Sequence, residues 1–98
     1  MQKAIFPITL KLFWKKYPDA EQALKSWFEI VKGSSWNMPN DVKDVFRSAD
    51  ILPNNRIVFN IKGNNYRLVV KVHYDFQIVF IRFIGKHSDY DKINANTI

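Results

Sequence analysis

The sequence contains no cysteine, so it offers neither a disulfide framework nor a thiolate ligand for a metal ion. Its two histidines form no recognisable metal-ligand spacing, and with three glycines it has no glycine-rich phosphate loop. Pro7 and Lys11 interrupt the first apolar stretch, which disfavours a signal peptide, and no apolar run approaches the ~18 residues that cross a membrane. We therefore expect a cytoplasmic protein that uses no metal, no cofactor and no membrane.

Positive charge is the strongest compositional signal. The 98 residues include 15 Lys and Arg against nine Asp and Glu, which gives a formal net charge of +6. The excess lies at the two ends, since residues 1–18 and 56–98 each carry +4 and the stretch between them is slightly acidic. Such a surface predicts a polyanionic partner. The alternative is that the charge serves solubility alone.

The first half of the chain has helical periodicity. We expect one domain over residues 1–98, because this length and a 47% hydrophobic composition support one modest core. Asp19 is the expected cap of the second helix, with Gln22 completing a capping box, and Asn40 is the expected cap of the third. Helices are predicted at about residues 8–16, 19–32 and 41–47.

From Arg56 onward the apolar period changes from 3.6 to 2, which indicates strands. Three strands are predicted, at 56–62, 66–74 and 77–84, joined by hairpin-length turns. The first few residues of the chain are a candidate fourth strand at a sheet edge. The last predicted strand is apolar on both faces, as a buried central strand would be. The pattern predicts an α+β fold with N-terminal helices packed on a three- to four-stranded antiparallel sheet.

Alternation along the middle strand separates a core face from a solvated face. The solvated set is Arg67, Val69, Lys71 and His73, and the core set is Tyr66, Leu68, Val70 and Val72. Arg67 and Lys71 would lie about 13 Å apart, at roughly 3.3 Å per residue, and strand-borne Arg and Lys can bind phosphates. The alternative is that these charges are merely solvated, and His73 is interpreted as a turn residue.

The segment after Gly85 concentrates titratable groups, including His87, Tyr90 and Asp91. Histidine exchanges protons near neutral pH, so it can serve as a general acid or base. On one helical turn His87 would face Tyr90 at i, i+3 and Asp91 at i, i+4, where the carboxylate can orient the imidazole. The alternative is a polar helix cap with an incidental histidine.

Several blocks of the chain resemble the HigB-type mRNA interferase toxins of bacterial toxin–antitoxin systems, which belong to the RelE-like group. The resemblance covers nearly the whole chain, and the order and spacing of the blocks are distinctive. The blocks are Pro18-Asp19-Ala20-Glu21, Phe46-Arg47-Ser48-Ala49-Asp50, residues 54–64, Tyr66-Arg67-Leu68-Val69-Val70-Lys71 and residues 79–93.

The resemblance implies a RelE-like toxin that cleaves mRNA without a metal, commonly on the translating ribosome, and that a HigA-type helix-turn-helix antitoxin neutralises. It implies attack by the RNA 2′-hydroxyl on the adjacent phosphate. Arg67 matches the arginine that contacts the scissile phosphate. Lys62, Lys71, Lys86 and Arg82 are the expected further phosphate contacts.

The group often carries an arginine and a tyrosine after the last strand's glycine, whereas this chain has His87 and Tyr90. Which of these two moves protons stays open. The alternative function is a non-catalytic RNA- or ribosome-binding module on the same scaffold.

Overall fold

The computed structural model describes residues 7–98, so the candidate N-terminal edge strand lies outside the described residues. The elements are α1 (Ile8–Lys16), a 3₁₀ turn (Pro18–Ala20), α2 (Glu21–Lys32), α3 (Pro39–Val45), β1 (Asp50–Leu52), β2 (Arg56–Ile61), β3 (Tyr66–His73), β4 (Ile78–Lys86) and α4 (His87–Tyr90). The four strands form an antiparallel sheet in the order β1-β2-β3-β4. The predicted α+β fold is confirmed.

The predicted helices are present, but two of their caps differ from the expectation. Helix α2 begins at Glu21 after Ala20, because the prolyl turn that contains Asp19 precedes it. The Asp19 carboxylate instead accepts a hydrogen bond from a tyrosine of β3, as described below. Helix α3 begins at Pro39 rather than after Asn40, since proline suits the first helical position and has no N–H to satisfy.

The fourth strand is β1, which was not predicted from the sequence because only three residues form it. It pairs with β2, and Leu52 stands opposite Arg56 across a tight turn. Asn54 and Asn55 both adopt φ of 61° in that turn, a left-handed conformation that asparagine tolerates better than most residues. The sheet therefore begins before Arg56.

The main core lies between the sheet and the helices. The buried residues of the apolar stripe of α2 are Leu24, Trp27, Phe28 and Val31. The Trp27 ring packs edge-on against Phe59 of β2, with centroids 5.4 Å apart. The strand side chains predicted for the core are buried there, namely Tyr66, Leu68, Val70 and Val72. Each fully buried Leu or Val contributes about 1.5–3 kcal/mol to folding.

Strand β4 was expected at the centre of the sheet, and that prediction is wrong. The central strands are β2 and β3, and among residues 7–98 β4 pairs with β3 only. A bulge between Val69 and Val70 of β3 leaves Arg82 as an extra residue in β4. The bulge breaks the alternation, so Ile84 and Ile81 both reach the main core. This is why β4 reads as apolar on both faces.

The second face of the sheet is not simply solvated. Val58 and Val69 are almost completely buried there, beneath the segment 91–98. The Arg56 Nε donates a 2.8 Å hydrogen bond to the carbonyl oxygen of Ile98, which holds this segment against the sheet. We call this group the tail cluster; it consists of Val58, Val69 and Ala95 with Leu52, Phe83, Tyr90 and Ile98 around them. The placement of Val69 in a solvated set was therefore wrong, because the pattern of β3 does not show what covers it.

Candidate active site at the end of the sheet

The predicted chemistry converges at one end of the sheet, where the β2–β3 turn, β3, β4 and α4 meet. In the turn, Lys62 and Gly63 adopt positive φ and the Asn65 N–H donates to the Lys62 carbonyl at 3.2 Å. The His87 N–H donates to the Asn65 carbonyl at 3.3 Å, which ties α4 to the turn. We call Arg67, Lys86, His87, Tyr90 and the turn 62–65 the sheet-end site.

Arg67 is partly buried on the second face, where it pairs with Asn60 of β2 and Gly85 of β4. Its guanidinium carbon lies 6.0 Å from the ring centroid of Tyr90. A guanidinium over an aromatic face gains about 0.5–1 kcal/mol at an exposed site, and the ring restricts its position. The structure thus brings together two of the three residues that the sequence suggested for catalysis.

Gly85 contributes to this arrangement through its lack of a side chain. A Cβ at this position would lie 2.6 Å from Cζ of Phe83, so only glycine leaves room for that ring. The Phe83 ring in turn packs on Tyr90, with centroids 6.5 Å apart. From the sequence Gly85 was predicted only to begin the segment after the last strand, and its role in placing Tyr90 follows from the packing.

His87 begins α4 and contacts the acid predicted for it. Its Nδ1 lies 3.2 Å from an Asp91 carboxylate oxygen, and both side chains are about half exposed. The tautomer that donates from Nδ1 to Asp91 leaves the lone pair of Nε2 available to accept a proton. Asp91 therefore positions the imidazole without occupying its second nitrogen.

An open cleft of about 380 Å³ lies beside this pair and is lined by Asn64, Asn65, Tyr66, Lys86, His87 and Ser88. Lys86 stands opposite Tyr66 in the register, so its side chain belongs to the helix-covered face rather than to the face of Arg67. Its Nζ lies 5.0 Å from the Tyr17 ring centroid. The sheet-end site thus surrounds the end of the sheet, with Arg67 and Tyr90 on one face and Lys86 on the other.

Comparison with known proteins identifies the family. Residues 20–93 match the HigB toxin family, described as a RelE-like toxic component of a toxin–antitoxin system. This chain belongs to that family. The matched region contains Arg67, His87 and Tyr90. The predicted resemblance is confirmed, and a toxin of this kind has an antitoxin as its partner.

Curated relatives of this chain are named HigB. The mRNA interferase toxin HigB of Escherichia coli strain K12 is 30% identical over 83 residues, which cover 83% of this chain and 80% of the relative. The mRNA interferase HigB of E. coli O6:H1 is 27% identical over 81 residues, covering 81% and 79%. The mRNA interferase HigB of Shigella flexneri is 30% identical over 83 residues, covering 83% and 80%.

One residue pair beside the cleft was not anticipated from the sequence. The Tyr66 hydroxyl donates to an Asp19 carboxylate oxygen at 2.5 Å. This hydrogen bond, together with burial of the phenol, raises the pKa of Tyr66 to about 12. Tyr66 therefore stays protonated near neutral pH, and its hydrogen bond to Asp19 fixes the wall of the cleft. The strand pattern marked Tyr66 only as a core residue, and nothing in the sequence linked it to Asp19.

Two of the predicted phosphate contacts lie away from the sheet-end site. Lys71 pairs with Arg56 and Phe80, four residues along β3 from Arg67 and beyond the buried Val69. Arg82 is exposed at the bulge of β4. Lys62, by contrast, lies exposed in the turn of the site itself.

Within residues 7–98, no three His, Asp or Glu side chains are grouped so that they could hold a metal ion. No helix in the same range is long and apolar enough to cross a membrane.

Proposed function

We propose that this HigB family toxin is an endoribonuclease that cleaves mRNA, and that the sheet-end site performs the cleavage. The observation that carries the proposal is the Arg67 guanidinium over the Tyr90 ring, with Tyr90 one helical turn from an imidazole that Asp91 orients. A fixed cation beside a proton-transfer group is the combination that phosphodiester cleavage requires. The names of the E. coli relatives, mRNA interferases, support the same activity.

The proposed reaction uses the RNA as its own nucleophile. The 2′-oxygen attacks the adjacent phosphorus while a base accepts the 2′-hydroxyl proton. The bond from phosphorus to the 5′-oxygen breaks, and an acid donates a proton to the leaving oxygen. The products are a 2′,3′-cyclic phosphate and a 5′-hydroxyl, so the reaction has no net uptake of protons or electrons.

The residues divide these roles between them. Arg67 stabilises the negative charge that builds on the phosphorane, and the loss of such a donor typically costs 10²–10³-fold in rate. His87 and Tyr90 supply the base and the acid. Lys62 and Lys86 contact neighbouring phosphates at the site, and Lys71 and Arg82 contact phosphates further along the sheet.

The biological setting belongs to the same proposal. The toxin acts in the cytoplasm on mRNA held by the translating ribosome. A HigA-type helix-turn-helix antitoxin neutralises it. The basic surface of residues 56–98, with seven Lys and Arg against three Asp, suits a substrate and a ribosome that are both polyanions.

The test is cleavage of an mRNA in a reconstituted translation reaction, with the 5′ ends of the products mapped by primer extension. We expect Arg67→Ala to slow cleavage about 10²–10³-fold. Arg47→Ala removes an exposed arginine outside the sheet-end site and should leave the rate unchanged. A 2′-deoxy nucleotide at the cut site should block cleavage. Wild-type rates for Arg67→Ala, or cutting at the deoxy site, would contradict the proposal.

Substitutions at His87 and Tyr90, together with the pH–rate profile, show which of the two residues transfers protons. Tyr90→Phe keeps the ring under Arg67 and removes only the hydroxyl, so a loss of rate would assign proton transfer to Tyr90. His87→Ala should abolish a limb of the pH–rate profile if the imidazole is the base or acid. RNA binding without cleavage by the wild-type protein would instead support the non-catalytic alternative.

A further inference from the structure

Three aromatic rings are exposed together at the opposite end of the second face from the sheet-end site. Phe76, in the β3–β4 turn, is 71% exposed and Phe80 is 45% exposed. The His73 ring stacks on Phe76 with centroids 5.9 Å apart and meets Phe80 edge-on at 5.7 Å. We call these three residues the aromatic patch. The His73 ring contacts both phenylalanine rings, so the three residues form one surface rather than scattered side chains.

The aromatic patch lies among cations. Phe80 pairs directly with Lys71, and Lys71 pairs on its other side with Arg56. Arg82 is exposed two residues beyond Phe80 at the bulge. Asp75 is the acid nearest in the chain, within the same turn.

The tail cluster covers Val58 and Val69 but not this end of the face. Among residues 7–98, neither Phe76 nor Phe80 packs into the main core or the tail cluster. Full burial of a phenylalanine contributes ~1.5–3 kcal/mol to folding, and the exposure of Phe76 and Phe80 forgoes part of that contribution. Aromatic platforms flanked by Lys and Arg are the surface on which unpaired bases stack while their phosphates are neutralised.

We propose that the aromatic patch stacks unpaired bases of the RNA strand that flanks the scissile phosphate, while Lys71 and Arg82 bind the phosphates between. The proposal rests on the proposed function, since it extends the substrate away from the sheet-end site. Arg67, Lys71 and His73 lie on the same strand and face, and His73 is about 20 Å from Arg67 at roughly 3.3 Å per residue. That span accommodates a few nucleotides.

The experiment measures base stacking without cleavage. The probe is a single-stranded RNA with a 2′-deoxy nucleotide at the cut site and 2-aminopurine placed at successive flanking positions. We expect quenching of 2-aminopurine fluorescence at a position a few nucleotides from the cut site. The Phe76→Ala/Phe80→Ala variant should lose that quenching and bind the probe about 5- to 100-fold more weakly for each stacked base.

Two variants make the result specific. Phe76→Tyr/Phe80→Tyr keeps the aromatic rings and should retain quenching. Leu12→Ala changes another exposed apolar residue, 59% exposed on α1, and should leave binding unchanged. Because Phe76 and Phe80 are exposed, the alanine variant should keep the circular dichroism spectrum and thermal midpoint of the parent.

The outcomes distinguish the two proposals. Failure of the wild-type protein to cut unmodified RNA on ribosomes would refute the proposed function, whatever the probe shows. With cleavage intact, unchanged quenching and affinity in the alanine variant would overturn the stacking proposal alone. Normal RNA binding combined with lost antitoxin binding would also overturn it, because the patch would then be a protein interface.

Discussion

The two faces of the sheet both bury apolar side chains, but different parts of the chain cover them. Helices cover the face that carries Leu68 and Val70, and the result is one continuous core. The segment 91–98 covers a smaller area around Val69 on the other face. Tyr90, which supports Arg67, belongs to the smaller group, so the candidate chemistry depends on the thinner of the two layers.

This difference shows how stability and function are distributed in the fold. A change in the main core should lower the stability of the whole domain and leave the geometry of the sheet-end site intact in molecules that remain folded. A change in the tail cluster should displace Tyr90 and Arg67 even in folded molecules. The following substitutions test that distinction.

Leu68→Ala should have the largest effect on stability. Leu68 is completely buried in the main core, and truncation of such a leucine costs about 2–5 kcal/mol. Urea denaturation measures this loss. The cleavage rate per folded molecule should stay near that of the parent, and a large loss of rate per folded molecule would contradict the separation of the two faces.

Ala95→Asp should lower both stability and activity. Ala95 is 7% exposed in the tail cluster. The new carboxylate would therefore be buried among apolar side chains, at a cost of about 1–3 kcal/mol. The matched control is Asn96→Asp, which adds the same group at the exposed neighbouring position. Cleavage assays on folded protein should show a loss for Ala95→Asp only. Equal activities in the two variants would show that the tail cluster does not position Tyr90.

Tyr66→Phe should have the smallest effect, a loss of about 1–2 kcal/mol, because it removes the hydrogen bond to Asp19. The folded-state pKa of Tyr66, about 12, lies above its ordinary value of 10.0. This contribution is therefore complete below pH 10 and is lost as the pH rises from about 10 to 12.

Urea denaturation at several alkaline pH values tests this pH dependence. The stability difference between the parent and Tyr66→Phe should shrink over that range. In Asp19→Asn the pKa of Tyr66 should fall towards its ordinary value, and ultraviolet titration of the phenol measures it. A stability difference that is constant with pH would contradict the assigned cause.

Much of the architecture could be predicted from local pattern. The 3.6-residue period of α2 marks its buried stripe and the two-residue period of β3 marks its helix-covered side, so the helices and the core side of β3 were predicted correctly. The three-residue strand β1 has too short a pattern to detect. The apolar pattern of β4 was misinterpreted as that of a central strand because of the bulge at Arg82. One extra residue moves every side chain that follows it to the opposite face of the sheet.

The candidate site was only partly predictable for a related reason. His87 and Asp91 are four residues apart, so helical geometry alone anticipated their contact. Arg67 and Tyr90 are far apart in the chain, as are Tyr66 and Asp19, and only packing brings each pair together. The role of Gly85 likewise depends on where the Phe83 ring lies.

The sequence by itself determined the α+β class, the basic character of residues 56–98 and the membership of the HigB family, because composition, period and motif are local properties. The tertiary structure decided that Arg67 lies over the Tyr90 ring, what covers Val69 and where His73, Phe76 and Phe80 remain exposed. These features arise from contacts between distant segments, and the apolar pattern of a strand records that a side chain is apolar but not which segment covers it.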